Sequence, residues 1–207
     1  MSGKHSNHYQ VPSRLFSCKD LSRLELTDCA IQMPPAFNGL ANLRTLVLTG
    51  AKINDEALKH LVSKCRLLEQ LRLRALDGIT SIEIYSPNLK NIIIDSAFQG
   101  LHLSTPRLAI LVINLRGEEL MNEGHGCRLI KALGSLLSIR ILWLFEPVLQ
   151  STRLRKGSDE DKFDWEAHGC RLDCLRSMEM HKANGSENEL GLLTVVLANA
   201  PLLSMMT

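Results

Sequence analysis

Residues 43–76 read LRTLVLTGAKINDEALKHLVSKCRLLEQLRLRAL. A copy of L-x-x-L-x-L stands at each end, Leu43-x-x-Leu46-x-Leu48 and Leu68-x-x-Leu71-x-Leu73, with a stretch of helical periodicity between them. Within each copy the alternation is that of a strand whose leucines share one face. Asn54 stands where a helix cap belongs, and Leu58, Leu61, Val62 and Cys65 recur at helical spacing over 55–65. Such a strand and helix each hide a single face and cannot stand alone; stacked in series they bury a common core.

Outward from this stretch the pattern recurs. It precedes it as Leu21-x-x-Leu24-x-Leu26 and follows it as Leu89-x-x-Ile92-x-Ile94 and Leu108-x-x-Leu111-x-Ile113. Starts at 21, 43, 68, 89 and 108 lie 22, 25, 21 and 19 residues apart, which are leucine-rich-repeat periods. Weaker copies are Ile139-x-x-Leu142-x-Leu144 and Leu175-x-x-Met178-x-Met180. Two intervening runs, Ile79-x-x-Ile82-x-Ile84 and Leu101-His102-Leu103, come too soon after a repeat strand to join the same parallel sheet, so they are expected as return strands on its other side. Ser86-Pro87-Asn88 and Thr105-Pro106 would turn the chain after each. Ser186-Glu187-Asn188-Glu189 reads as a capping box before a helix over 190–198, and a shorter helix is expected over 127–133. The polar segments 117–126 and 151–165 read as loops. The predicted fold is therefore α/β: a leucine-rich-repeat solenoid with a curved parallel sheet, helices and return strands on its convex side, and a closing C-terminal β-α unit. Its divisions are a short polar arm (1–10), the repeats (11–150), a charged linker loop (151–165) and a C-terminal segment (166–207).

Composition narrows the function. The chain has 207 residues, 38 of them leucine, with 45% hydrophobic and only 4% aromatic residues, so it favours aliphatic layers over aromatic stacking platforms. A formal charge of +2 gives no field to steer it to nucleic acid or an acidic membrane, and neither is an expected partner. The polar start MSGKHSNHYQVPSR has no signal-peptide core, and the most apolar run, 130–145, is broken by Lys131 and Arg140. An intracellular location, cytoplasm or nucleus, is expected, with the six cysteines as thiols.

The run Leu15-Phe16-Ser17-Cys18, then LSRLELTDCAI, PPAFNGLANLRTLVLTG, INDEALKHLVSKCRLLEQLRL and ITSIEIYSPNLKNIIID, resembles the repeat region of plant F-box/FBD/LRR proteins, in the form common in grasses. The tail LRSMEMHKANGSENELGLLTVVLANAPLLSMM is similar to the FBD segment of that family, and together the likeness covers nearly all of 9–206. The resemblance implies the substrate-recognition part of a ubiquitin-ligase receptor, in which F-box helices bind the Skp adaptor and the repeats hold a protein target. Only Met1–Gln10 precede the repeats and carry no L-P-x-x-[LI] start, so the Skp adaptor and a cullin ligase are expected partners only with an F-box upstream. An F-box-less interaction protein, holding targets without delivering them, is the alternative.

With the leucines turned inward, the intervening residues line the concave sheet face. The early rows are mostly polar, whereas Ile93, Ile110, Val112, Ile141, Trp143 and Phe145 load the later ones with apolar surface. This patch, bordered by Arg72 and Arg74 and anchored by Trp143, is the candidate partner-binding site. Two alternatives stand beside it: the C-terminal helix or the 115–126 loop folds over the patch, or the register slips by one within Ile92-Ile93-Ile94.

No catalytic or cofactor motif is present: no P-loop, dinucleotide fingerprint, H-E-x-x-H or G-x-S-x-G. His-Gly-Cys-Arg-Leu occurs twice, giving His125/Cys127 and His168/Cys170 as conceivable zinc ligands and a third reading as a zinc protein. Neither pair has C-x-x-C spacing and the copies lie in different turns, so packing roles are expected and no metal, cofactor or enzymatic activity is called for.

Overall fold

The computed structural model describes residues 8–115, 138–145, 172–181 and 187–207. Short strands β1 (Tyr9–Gln10), β2 (Arg23–Thr27), β3 (Cys29–Ala30) and β4 (Thr45–Thr49) come first, with a 3-10 turn at Ser13–Ser17. Helix α1 (Asp55–Lys64) is followed by β5 (Gln70–Arg74), β6 (Ser81–Tyr85), β7 (Asn91–Ser96), β8 (Gly100–Ser104) and β9 (Ile110–Leu115). Beyond them lie β10 (Ile141–Phe145), β11 (Ser177–His181), α2 (Glu187–Asn199) and β12 (Met205–Met206). Among the described residues the main sheet has eight strands, β2-β4-β5-β7-β9-β10-β11-β12. All its pairings are parallel and it grows in chain order. A mostly parallel sheet with few helices makes this an α/β fold.

Each rung is built alike. The leucine that opens a repeat closes a tight turn and is fully buried, as Leu43, Leu68, Leu108 and Leu175 show through N–H bonds to Leu40, Cys65, Thr105 and Leu172 carbonyls. One carbonyl just before each strand accepts two amides of the next rung: Arg44 from Glu69 and Gln70, Ala109 from Arg140 and Ile141, Arg140 from Arg176 and Ser177. These repeated pairs lock adjacent strands in one register. On the core face Leu46, Leu48, Leu71, Leu73, Ile92, Ile94, Leu111, Ile113, Leu142 and Leu144 are all 0% exposed. At about 1.5–3 kcal/mol for each such side chain, this ladder is the main stabilising term.

The other side of the core is made by the segments between strands. The return strands β6 and β8 pair in parallel in their own sheet, with Ile82, Ile84, Leu101 and Leu103 buried. Helix α1 forms where the cap predicts it: Asn54 Oδ1 accepts the Ala57 amide at 2.8 Å, and Leu58, Leu61 and Val62 are buried. The Asp55 carboxylate accepts from Thr80 N–H, Thr80 Oγ1 and Ser81 N–H at 2.9, 2.6 and 3.0 Å, pinning the helix start to β6. After β2, β4 and β5 the chain turns through left-handed residues Asp28, Gly50 and Ala75, with φ of 48°, 58° and 47°. Gly50 is needed twice over, because a Cβ there would run into the Asp28 carboxylate.

The sequence predictions differ from the structure at both ends. Tyr9–Gln10, read as the tip of a polar arm, instead pair in parallel with Cys29–Ala30 because their backbone groups find partners there. Met205–Met206, with no strand expected, add β12 beside β11 as Ser177↔Met205 and Met178↔Met206. Helix α2 matches the 190–198 expectation, and its Leu192 and Val196 join the common core. The expected helix over 127–133, the loops at 117–126 and 151–165 and the Ser186 cap lie outside the described residues. Among the described residues no helix is long and apolar enough to cross a membrane.

Candidate protein-interaction surface

The face of the sheet opposite the core carries three rows of side chains. The middle row runs Glu25, Val47, Arg72, Ile93, Val112, Trp143, Glu179 across seven paired strands. Beside it, Ile110 and Ile141 pair directly on β9 and β10. Five of the six apolar candidates, Ile93, Ile110, Val112, Ile141 and Trp143, are thus nearest neighbours on three adjacent strands. Each is half-buried while its sequence neighbours Ile92, Ile94, Leu111 and Leu142 are fully buried, so the register is the unslipped one. Leu192 and Val196 of α2 are buried in the core on the opposite face, and the segment 116–137 lies outside the described residues.

Phe145 completes the patch through a partner on β11. Its ring stacks on His181 with centroids 4.5 Å apart and planes at 12°, and His181 meets Trp143 edge-on at 6.2 Å. His181 Nε2 is 3.3 Å from Glu179 Oε2, so the imidazole joins the aromatic pair to an acidic border. Strand alternation puts His181 on this face, and the β10–β11 register brings it to Phe145. The indole Nε1 of Trp143 is buried and makes no hydrogen bond among the described residues.

The two arginine candidates differ. The Arg74 guanidinium is 3.6 Å from the Asp95 carboxylate, which also accepts from Asn114 Nδ2 at 2.9 Å. Arg72 is exposed and has no side-chain partner among the described residues, so its charge stands free beside Ile93. On β2 of this face Arg23 pairs with Glu25.

Burial pushes the Cys65 thiol up, and burial together with the Asp28 charge does the same for Cys29, so both are packing thiols rather than nucleophiles. Among the described residues no group of three or more His, Cys, Asp or Glu could hold a metal ion. The paired His125/Cys127 and His168/Cys170 lie outside the described residues.

The comparisons with known proteins agree with the repeat geometry. A family profile described as "FBD-associated F-box protein At5g56370, LRR repeats" matches residues 1–132. The chain is 31% identical over 132 residues to the F-box/FBD/LRR-repeat protein At1g13570 of Arabidopsis thaliana, covering 62% of this chain and 32% of that one. It is 36% identical over 96 residues to the Arabidopsis F-box protein At1g10780, covering 45% of this chain and 23% of the relative. A third, the putative F-box/FBD/LRR-repeat protein At5g22610 of the same plant, is 26% identical over 151 residues, 64% of this chain and 29% of its own length. The chain therefore spans a third or less of the length of these relatives. With its repeat rungs in place and the profile matching well over half of its residues, this chain belongs to the leucine-rich-repeat family of FBD-associated F-box proteins.

Proposed function

We propose that the open sheet face is a non-catalytic protein-recognition surface, the target-holding part of an F-box-type receptor. The contiguous half-buried patch Ile93, Ile110, Val112, Ile141 and Trp143 on β7, β9 and β10 supports this reading most directly. A sheet face meant only for solvent needs no such row, since fold stability is supplied by the opposite face. Trp143 is the anchor, the aromatic pair Phe145–His181 its flank, and Arg72 a cation at its edge with no side-chain partner among the described residues. In this reading the rungs continue as a curved solenoid, and the β11–α2–β12 unit is its FBD-like closure, covering the end of the core. An intracellular setting follows from the same role.

The test is retention of proteins from a plant extract by the chain and by Trp143→Ala at equal folded concentration. Partners held by the first and lost by the second are expected; undiminished retention would sink the assignment. Delivery to a cullin ligase belongs to the reading only where an F-box precedes these repeats. The intact mass of the endogenous protein decides that: peptides mapping upstream of Met1 with an F-box sequence support it, and a mass of 23.1 kDa leaves a module that holds its target without recruiting the Skp adaptor. Removing 186–207 should expose the core end and cause aggregation; a soluble, cooperatively folding remainder would refute the closure.

A further inference from the structure

The residue just before each strand of the main sheet after β2 occupies one repeated position, because each donates its amide to the corresponding carbonyl of the preceding rung. Through the middle of the sheet this rim column reads Arg44, Glu69, Lys90, Ala109, Arg140 and Arg176. Side chains at neighbouring places in it are within reach of one another. Arg44 Nη1 meets Glu69 Oε1 at 2.6 Å, and Lys90 Nζ meets Glu69 Oε2 at 2.9 Å. The early rim is thus a closed plus-minus-plus triplet.

The later rim has no such balance. Ala109 separates Lys90 from Arg140, and Arg140 and Arg176 then stand on adjacent strands, about 4.8 Å apart in the backbone, with like charge. Both are exposed, and neither side chain has an ion pair or hydrogen bond among the described residues. Two neighbouring guanidiniums repel each other and present a fork of donors whose natural complement is one carboxylate bridging both. Arg140 leads directly into Ile141, and Ala109 into Ile110, so this fork borders the apolar patch.

We propose that Arg140 and Arg176 form a carboxylate-binding pair, taking an acidic side chain of the protein segment that lies on Ile110, Ile141 and Trp143. The inference rests on the open-face reading and adds the partner's chemistry to it: an Asp or Glu next to apolar anchors. Charge at this rim would steer association and fix the register of the segment on the sheet.

The probe is a displayed random-peptide library with unmodified and phosphoserine-containing arms, panned on the full chain. Recovered peptides are then titrated by fluorescence anisotropy against the wild type, Arg140→Gln/Arg176→Gln, Trp143→Ala and the control Arg44→Gln. Recovered sequences should carry an acid beside apolar residues, and the double glutamine variant should weaken them by about tenfold or more, with most of the salt dependence gone. Replacing the peptide's acid by its amide should then cost nothing further in the double variant, as a double-mutant cycle requires. Unchanged unfolding midpoints for the exposed arginine substitutions keep the comparison clean. Binding within twofold of wild type in the double variant, with loss in Trp143→Ala, overturns the arginine pair and leaves the open face standing. Loss in the double variant with none in Trp143→Ala overturns the open-face reading instead. Recovery from the phosphoserine arm alone overturns carboxylate in favour of phosphate, and the absence of any acidic binder overturns the pair outright.

Discussion

The first three strands of the main sheet and the three that follow β5 have the same core face and opposite open faces. β2, β4 and β5 show Arg23, Glu25, Thr27, Thr45, Thr49 and Gln70 outward, whereas β7, β9 and β10 show Ile93, Ile110, Val112, Ile141 and Trp143. Inward, Leu46 and Leu71 are as completely buried as Leu111 and Leu142. Folding therefore demands one face of each strand and leaves the other freer, so the apolar character of the later open face is what the proposed recognition surface needs. The rim repeats the contrast: Glu69 bridges Arg44 and Lys90, while Arg140 and Arg176 have no acid between them among the described residues.

The largest effect should appear where the halves are alike. Leu71→Ala and Leu142→Ala should each cost about 2–5 kcal/mol in urea unfolding, since both empty a fully buried site. A cost below about 1 kcal/mol in either would mean that half does not share the core. Next come the open faces: Trp143→Ala should weaken partner binding by about 2 kcal/mol, roughly thirtyfold, while Val47→Ala in the same row leaves it unchanged. Equal losses would erase the distinction between the halves.

The strand ends offer a finer test. The left-handed turns fall after β2, β4 and β5, and at Ala75 a side chain occupies that conformation. Ala75→Gly should relieve it and gain up to about 1 kcal/mol in thermal unfolding, and Gly50→Ala should lose more than that because the Asp28 carboxylate sits where its Cβ would go. A neutral Gly50→Ala would show that the turn can rearrange. The smallest effect is at the early rim. Hydrogen bonds from Lys90 and then Arg44 hold the Glu69 carboxyl below its usual range. A depressed folded-state value stabilises the protein above the ordinary carboxylate range, and that contribution is lost as pH falls through it. Glu69→Gln should therefore flatten the acid limb of the stability profile slightly, and high salt should shrink even that difference; an unchanged acid limb would mean the triplet contributes nothing.

Much of this molecule could be read along the chain. The L-x-x-L-x-L copies located every long strand of the main sheet, and the prolines after Ser86 and Thr105 marked the turns that follow the return strands. Asn54 announced α1. Tyr9–Gln10 and Met205–Met206 escaped notice because two residues carry no periodicity; they are strands only by virtue of the edge they join. For the candidate surface, alternation alone was enough to put Ile93, Val112 and Trp143 on one face.

By itself the sequence determined the fold class, the core ladder and the family, because burial periodicity is local and each rung repeats it. Only the tertiary structure decided which free-face residues meet. Arg74 is answered by Asp95 while Arg72 has no side-chain partner among the described residues, and His181 stacks on Phe145. Arg140 stands against Arg176 with no acid between them among the described residues. These contacts join residues far apart in the chain through the register of neighbouring strands, and register is set by the backbone bonds between rungs, which no single stretch of sequence contains.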